Sequence, residues 1–255
     1  MKKSYIVIVI IFVIYTAIMC FVFGNRKTKD DTKFLVNNSI FTYKNDKWDI
    51  SSFDNETYAK SLFNVYINNE YQGKFYLRSH NDKWYYFDDN NESYDFYGSL
   101  FATGEKVSTD VINFNESSAS LSEVMEILSD NDLSINSLDE LTQNKKISFD
   151  FDSDGDDETI YSLSNLTLNV DSDNVVLFSI VVYSDNDKLT TIINDNGTIS
   201  SKKVNYFYSI DNIFKLNNEK NYKMLVRQEK IMNAQQQCDS LYEVANKSLK
   251  LLKAC

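Results

Sequence analysis

The sequence predicts a mostly β protein of the α+β class, in which an N-terminal transmembrane helix precedes an antiparallel, β-rich extracytoplasmic domain with a small helical insertion. An uncharged apolar run lies near the start of the chain, and short segments rich in aromatic and β-branched residues recur from residue 40 onward. One segment near the middle has helical spacing instead. The predicted divisions are a cytoplasmic tail at 1–4, a transmembrane signal-anchor at 5–23, a linker at 24–36, a first β-rich half at 37–117, the helical insertion at 118–142 and a second β-rich half at 143–255.

The N-terminal run 5–23 contains 19 uncharged residues. A helix of that length spans roughly 28 Å, close to the ~30 Å hydrocarbon core of a bilayer. The short tail before it favours a cytoplasmic N-terminus and an extracytoplasmic domain. Two alternatives are cleavage near Gly24 and lipidation of Cys20, but the run is long for a signal peptide and lacks the small residue that lipidation needs before the cysteine. We expect an uncleaved anchor.

The overall charge limits the classes of partner. The formal net charge is -11, which disfavours binding to nucleic-acid phosphates and favours binding of a divalent cation. The chain has no proline and six glycines, so we expect Asn, Asp and Ser to form most turns.

The first β-rich half contains two predicted hairpins, which turn at Asn45-Asp46 and at 80–82, and a further aromatic strand at 94–101. His80, the only histidine, is interpreted as a turn residue, because no nucleophile-elbow pattern accompanies it. In the insertion, Ser120 is expected to cap a short helix. Its predicted apolar face consists of Leu121, Val124, Met125 and Leu128, and a further helical turn is expected through Ile135, Leu138 and Leu141.

The second β-rich half contains several predicted strands, at 147–151, 159–163, 175–183, 188–193, 205–210 and 222–226. The segment 175–183 is nearly all apolar, which predicts a central strand covered on both faces. Asn196-Gly197 has the strongest hairpin-turn signal in the chain. The chain is too short for a complete seven-bladed propeller, so we expect a sandwich or an incomplete propeller-like set of sheets.

The segment 150–158 carries the clearest chemical signal. Oxygen ligands at alternate positions of a tight loop can converge on one calcium ion, and Gly155 permits the sharp turn between them. The predicted calcium ligands are the side chains of Asp150, Asp152, Asp154 and Glu158 and the backbone carbonyl of Asp156. The alternative is a solvated acidic turn between two strands.

This loop is not an EF-hand, because Tyr161 occupies the twelfth position and the flanking segments are predicted strands. A strand–loop–strand unit with an aspartate-rich loop resembles the calcium loops of integrin-type FG-GAP repeats and of related repeats in secreted bacterial proteins. The resemblance covers about 15 residues, and it implies a Glu or Asp at the last ligand position, here Glu158. The whole chain also looks like uncharacterised membrane-anchored proteins of AT-rich Gram-positive bacteria, a resemblance that implies no activity.

A second segment, 214–226, has the same strand–loop–strand outline at an offset of 65 residues. Lys215 and Lys223 stand where the first segment has Asp150 and Glu158, so this segment is not expected to bind calcium. The alternative to a repeat is a chance similarity between two hairpins.

The C-terminal segment has two interpretations. Apolar residues from Cys238 to Leu252 recur at helical spacing. The other interpretation is a hairpin that turns at Asn246-Lys247 and places Tyr242 opposite Leu251. Only the hairpin brings Cys238 and Cys255 within about 5.5 Å between Cα atoms, as a disulfide requires, whereas one helix would hold them roughly 25 Å apart. We expect the hairpin and a disulfide between Cys238 and Cys255.

The expected function is non-catalytic: a membrane-anchored, calcium-binding cell-surface domain that binds an envelope or extracellular partner, either a glycan or a surface protein. The alternative is a carbohydrate-active enzyme or a carbohydrate-binding module acting on envelope glycans. Aromatic residues of the first half could stack on sugars, namely Trp48, Trp84, Tyr85 and Tyr86. An aromatic strip beside a cleft with two close carboxylates would favour this alternative.

Overall fold

A computed structural model describes the part of the chain that carries the β domain. The described residues are 32–36, 39–44, 47–52, 61–80, 83–112, 114, 116–152, 154–166, 176–186, 188–198, 206–216, 219–231, 233–245 and 248–254. No helix in these ranges is long and apolar enough to cross a membrane. The anchor predicted at 5–23 lies outside the described residues.

The described chain is mostly β, as predicted, and every strand pair in its three sheets is antiparallel. The strands are β1 (Thr32–Val36), β2 (Ser39–Lys44), β3 (Lys47–Ser52), β4 (Leu62–Ile67), β5 (Glu70–His80), β6 (Lys83–Phe87), β7 (Ser93–Tyr94), β8 (Leu100–Gly104), β9 (Thr109–Val111), β10 (Gln143–Phe149), β11 (Glu158–Asn165), β12 (Val176–Asp185), β13 (Lys188–Thr198), β14 (Tyr206–Leu216), β15 (Lys223–Lys230), β16 (Asn233–Ala245) and β17 (Ser248–Lys253). Within the described ranges one α-helix, α1, spans Leu121–Ser129, and a 3₁₀ turn spans Leu138–Glu140.

The first sheet has eight strands in the order β3-β2-β1-β8-β4-β5-β6-β7. The two predicted hairpins of this half are confirmed, since β2 pairs with β3 and β5 pairs with β6. The predicted strand at 94–101 is wrong, because β7 ends at Tyr94 and β8 begins at Leu100. Between them, Gly98 has a φ of +136° and packs against the side chain of Asn68, which receives a hydrogen bond from the backbone N–H of Ser99. This turn interrupts the extended chain despite its aromatic composition.

The second sheet has the order β10-β11-β12-β13, and helix α1 packs on one of its faces. Strand β12 lies between two neighbours and is buried along most of its length, which confirms the predicted central strand. The predicted turn at Asn196-Gly197 is wrong. Both residues lie within β13, opposite Phe178 and Leu177, because the long apolar β12 provides paired partners beyond this dipeptide. The chain reverses instead between Asp185 and Lys188, which pair with each other, and Asn186 between them has a φ of +47°.

Ser120 caps helix α1 as predicted, and Glu123 completes a capping box with it. The buried side of the helix differs from the predicted one. Val124, Ile127 and Leu128 face the sheet, whereas Leu121 and Met125 are exposed. The helix is short, so its orientation is determined by the sheet beneath it and by its cap rather than by its apolar residues alone.

The third sheet has the order β17-β16-β15-β14-β9 and lies between the other two. One face packs against the second sheet through residues such as Ile213 and Val181, and the other packs against the first sheet through Phe214 and Phe101. The three sheets therefore form stacked layers, as in a sandwich. Strand β9 comes from the first half of the chain but pairs with β14, so the two β-rich halves share this sheet.

The C-terminal segment is a hairpin, and the helical interpretation is wrong. Strands β16 and β17 pair with Tyr242 opposite Leu251, and the register shifts by one residue beyond Tyr242. The apolar residues that recur at helical spacing instead contribute to different faces, with Leu241 in the contact with the first sheet and Tyr242 in the contact with the second.

Candidate metal site

The predicted calcium loop connects β10 to β11. Phe149, the last residue of β10, pairs with Glu158, the first residue of β11. The intervening chain turns at Gly155, which has a φ of +100°. A Cβ atom there would meet nothing within 4 Å, so the glycine is favoured by its left-handed backbone conformation and not by crowding.

Backbone N–H groups inside the loop hold its aspartates in place. Asp150 accepts hydrogen bonds from the N–H groups of Asp154 and Gly155, each at 3.1 Å. Asp152 accepts a longer bond from the Asp154 N–H at 3.2 Å, and Asp154 accepts one from the Asp156 N–H at 3.1 Å. These bonds fold the loop around its own carboxylates, which therefore have restricted orientations without any bound ion.

Four of the predicted ligands converge. One carboxylate oxygen from each of Asp150, Asp152, Asp154 and Glu158 lies within 4.8 Å of the corresponding oxygen of the others. Calcium binds oxygen at about 2.3–2.6 Å, so two ligands on opposite sides of one ion are about 5 Å apart. Magnesium requires about 2.0–2.1 Å and hence a tighter cluster. The four oxygens are therefore close enough together to bind one metal ion, and an upper limit of 4.8 Å accommodates either cation.

Glu158 is the buried member of the cluster, with 1% of its surface exposed. Its Oε2 accepts a hydrogen bond of 2.7 Å from the Phe151 N–H, whereas its Oε1 has no hydrogen-bond partner among the described residues. Burial raises the pKa of Glu158 above its usual value; the Phe151 bond opposes this rise, and the neighbouring aspartates add to it. A buried carboxylate oxygen without a partner is costly, and a cation would satisfy it.

Behind the cluster lies Tyr183, which the sequence analysis did not select. Its side chain is buried and its hydroxyl has no hydrogen-bond partner among the described residues. Burial raises the pKa of the Tyr183 hydroxyl, and the negative charge of Glu158 raises it further. In the sequence, Tyr183 is only the aromatic end of the apolar segment 175–183, a pattern typical of the core.

Asp156, the fifth predicted ligand, has an exposed side chain that is not part of the four-carboxylate group. The contribution of its carbonyl oxygen stays a prediction. Cys238 is disulfide-bonded. Its expected partner, Cys255, lies outside the described residues, so this pairing also stays a prediction. The backbone of His80 pairs with Lys83 at the end of a hairpin.

The second strand–loop–strand segment is also a hairpin, closed by a pair between Phe214 and Lys223. The side chain of Lys223 is 2% exposed; its ammonium forms an ion pair with Glu219 and lies 3.6 Å from a carboxylate oxygen of Glu243. Lys215 stacks over the Tyr222 ring at 4.3 Å. Among the described residues no second group of metal-binding side chains is found, and the exclusion of calcium from this hairpin by its lysines stays a prediction.

Strand–loop–strand geometry, a left-handed glycine and four converging carboxylates together define the candidate site. The resemblance of this loop to FG-GAP calcium loops stays an expectation. In comparisons with known proteins, no protein-family model, no curated protein and no solved structure matches the chain.

Proposed function

We propose that this chain is a calcium-binding, non-catalytic module of the cell surface, held at a membrane by residues 5–23, that binds a partner in the cell envelope. The observation that carries the calcium assignment is the buried Oε1 of Glu158, which lies within the cluster of four carboxylates and has no hydrogen-bond partner in the described part of the chain.

The electrostatics of the loop support a bound divalent cation. Like charges at this separation destabilise one another, and the loop has no lysine or arginine among its residues 150–158. The buried position of Glu158 makes the repulsion more costly, because burial strengthens charge interactions and removes solvation. A calcium ion bound by the four oxygens would neutralise part of this charge and satisfy the free oxygen.

Two observations support an extracytoplasmic location. Cys238 forms a disulfide, and disulfides persist in oxidising compartments and are rare in the cytosol. A calcium loop of modest affinity is also useful where calcium is abundant, which is the case outside the cell. The apolar run 5–23 supplies an anchor of the right length.

Calcium binding can be tested by thermal or urea unfolding of the purified chain, in millimolar calcium and in chelator. For a dissociation constant of roughly 10 μM, 1 mM calcium should stabilise the fold by about 2.7 kcal/mol. Asp152→Asn should abolish most of this gain. The matched control is Asp157→Asn, which removes the same charge from an exposed residue outside the cluster and should retain the gain. A native chain with equal stability in calcium and chelator would refute the site, and magnesium should stabilise less than calcium.

The orientation at the membrane can be tested with protease added to intact cells. We expect loss of the region after residue 30 from intact cells, because the linker following the anchor is exposed outside. Protection in intact cells together with cleavage after permeabilisation would contradict the extracytoplasmic location.

A further inference from the structure

A cleft of about 450 Å³ lies between the β2–β3 hairpin of the first sheet and strands β15–β17 of the third. Ligand pockets in proteins are on the order of 300–1,000 Å³, so this cleft is large enough for a small organic ligand. It lies on the opposite side of the third sheet from the second sheet, which carries the calcium loop. The two sites are therefore formed by different parts of the fold.

One wall of the cleft is aromatic. Trp48 and Tyr43 are directly paired across the β2–β3 hairpin, and their ring centroids are 5.2 Å apart. Trp48 also packs edge to face with Phe34, a fully buried core residue, and the centroids of the two rings are 5.3 Å apart. These contacts fix the indole ring in position. Leu251, which is 49% exposed, adds an apolar surface contributed by β17.

Three of the five charged side chains that line the cleft form one ion-paired cluster. The buried ammonium of Lys223 lies between Glu219 and Glu243 and is 5.9 Å from the Trp48 ring. A lysine is rarely buried to this extent without partners, and its two carboxylates and the indole face hold it in place. The two partly exposed carboxylates are thus held in place beside an aromatic surface.

The remaining charged residues make the cleft locally positive. Lys47 on β3 and Lys250 on β17 are exposed lining residues, and neither forms an ion pair with a described residue. Together with Lys223 they give three positive charges against the two carboxylates, in a chain whose net charge is -11. A local excess of positive charge on such an acidic molecule favours an anionic ligand.

We propose that this cleft binds a saccharide that carries an acidic substituent. The flat face of a sugar ring packs on an indole ring through its C–H groups, and neighbouring sugar hydroxyls donate to the carboxylates of Glu219 and Glu243, which are 37% and 24% exposed. The acidic substituent pairs with Lys47 or Lys250. Glycoside hydrolysis is not proposed, because the Lys223 ammonium occupies the space between the two carboxylates in which the scissile bond would have to lie.

This inference rests on the proposed binding function and names its ligand class, but it does not depend on calcium. The first test is an array of immobilised oligosaccharides, both neutral and containing uronic or sialic acid, probed with the labelled full-length chain. We expect binding to acidic glycans. The glycan that binds most tightly is then titrated in solution with the Trp84→Phe variant. Trp48 is the remaining tryptophan of this variant, so its fluorescence reports on the cleft. Each titration is run in calcium and in chelator, so a failure of the metal site is distinguishable from a failure of the cleft.

Trp48→Ala should weaken binding at least about tenfold, as judged by direct calorimetry. Lys250→Gln changes an exposed residue and should leave the fold intact. It should weaken the binding of acidic glycans about threefold and make their binding less sensitive to salt. The matched control is Tyr97→Ala, which removes an 86% exposed aromatic ring outside the cleft and should change nothing. Absence of binding to every acidic glycan, equal binding of neutral glycans, or unchanged affinity of both cleft variants would overturn the proposal.

Discussion

The hairpin 149–158 and the hairpin 214–223 have the same outline and opposite chemistry. Each is closed by a phenylalanine paired with a charged residue nine positions later, Glu158 in the first and Lys223 in the second. Both charged residues are almost fully buried, with 1% and 2% of their surface exposed. The strands that follow, β11 and β15, begin at these residues and have the same length.

The difference lies in where the neutralising charge comes from. In the second hairpin Lys223 supplies a cation, and Glu219 and Glu243 bind it. In the first hairpin the described carboxylates face one another, and Glu158 retains a free oxygen. The comparison indicates that a buried charge at this position can be compensated either by a side chain of the protein or by a metal ion from the solvent. Only compensation by a metal ion makes the stability depend on the concentration of that ion.

Lys223→Met should have the largest effect, because it removes the internal cation and keeps most of the length of the unbranched side chain. The carboxylates of Glu219 and Glu243 would then be left without their shared partner. We expect the free energy of unfolding to fall by about 3–5 kcal/mol, measured by urea denaturation. Lys220→Met, at an exposed position of the same loop, is the control and should cost little. Equal costs for the two variants would mean that the buried ammonium does not stabilise this hairpin.

A carboxylate that already has its cation offers a second reference. Glu123 binds Lys146 at 2.6 Å and accepts hydrogen bonds from Ser120 and Tyr161. These contacts lower the pKa of Glu123 to about 2, and the contact with Lys146 contributes most. The stability that they provide is present above the ordinary pKa of 4.5 and is lost as the pH falls toward 2. Glu123→Gln should therefore cost about 2 kcal/mol at pH 7 and much less at pH 3. Urea denaturation at both pH values measures the difference, and Glu126→Gln on the exposed side of the helix is the control. A cost independent of pH would show that the ion pair is not the source.

Glu158→Gln should have a smaller effect of the opposite sign when chelator is present. The glutamine oxygen can keep the bond from the Phe151 N–H, and its NH₂ group can donate to the neighbouring aspartates in place of the free Oε1. We expect the free energy of unfolding in chelator to rise by about 1 kcal/mol. In calcium the order of stability should reverse, since the variant loses a ligand. A variant less stable than the native chain in chelator would indicate that the native loop does not carry the repulsion described above.

Local signals in the sequence predicted much of the fold. Aromatic strands and short polar turns identified the β2–β3 and β5–β6 hairpins, since strand pairing across a short turn depends on neighbouring residues. The β16–β17 hairpin was preferred over a helix because it brings the two cysteines together. The convergence of four oxygens in the loop was also predictable, because all of its ligands lie within nine consecutive residues, 150–158.

The errors and omissions have a different physical origin. The turn signal of Asn196-Gly197 was overridden by pairing with the long buried strand β12. Met125 is exposed because the position of the second sheet determines which side of the helix is buried, and the sequence of the helix contains no information on that position. The cleft was missed because Trp48, Lys223 and Leu251 are brought together only when the first and third sheets meet. A pattern within a short window cannot reveal a site whose walls are separated by more than 150 residues of chain.

The shared third sheet has a consequence for the order of folding. Strand β9 can form its strand pair only after β14 has been synthesised. The apolar face of the first sheet around Phe101 is covered by Phe214, which lies more than 100 residues later in the chain. During synthesis the first sheet can therefore pair its strands early while one apolar surface remains open to solvent. Contacts of such long range slow folding and expose surfaces that aggregate, so the final hairpins of the chain serve as the closing step that protects the earlier ones.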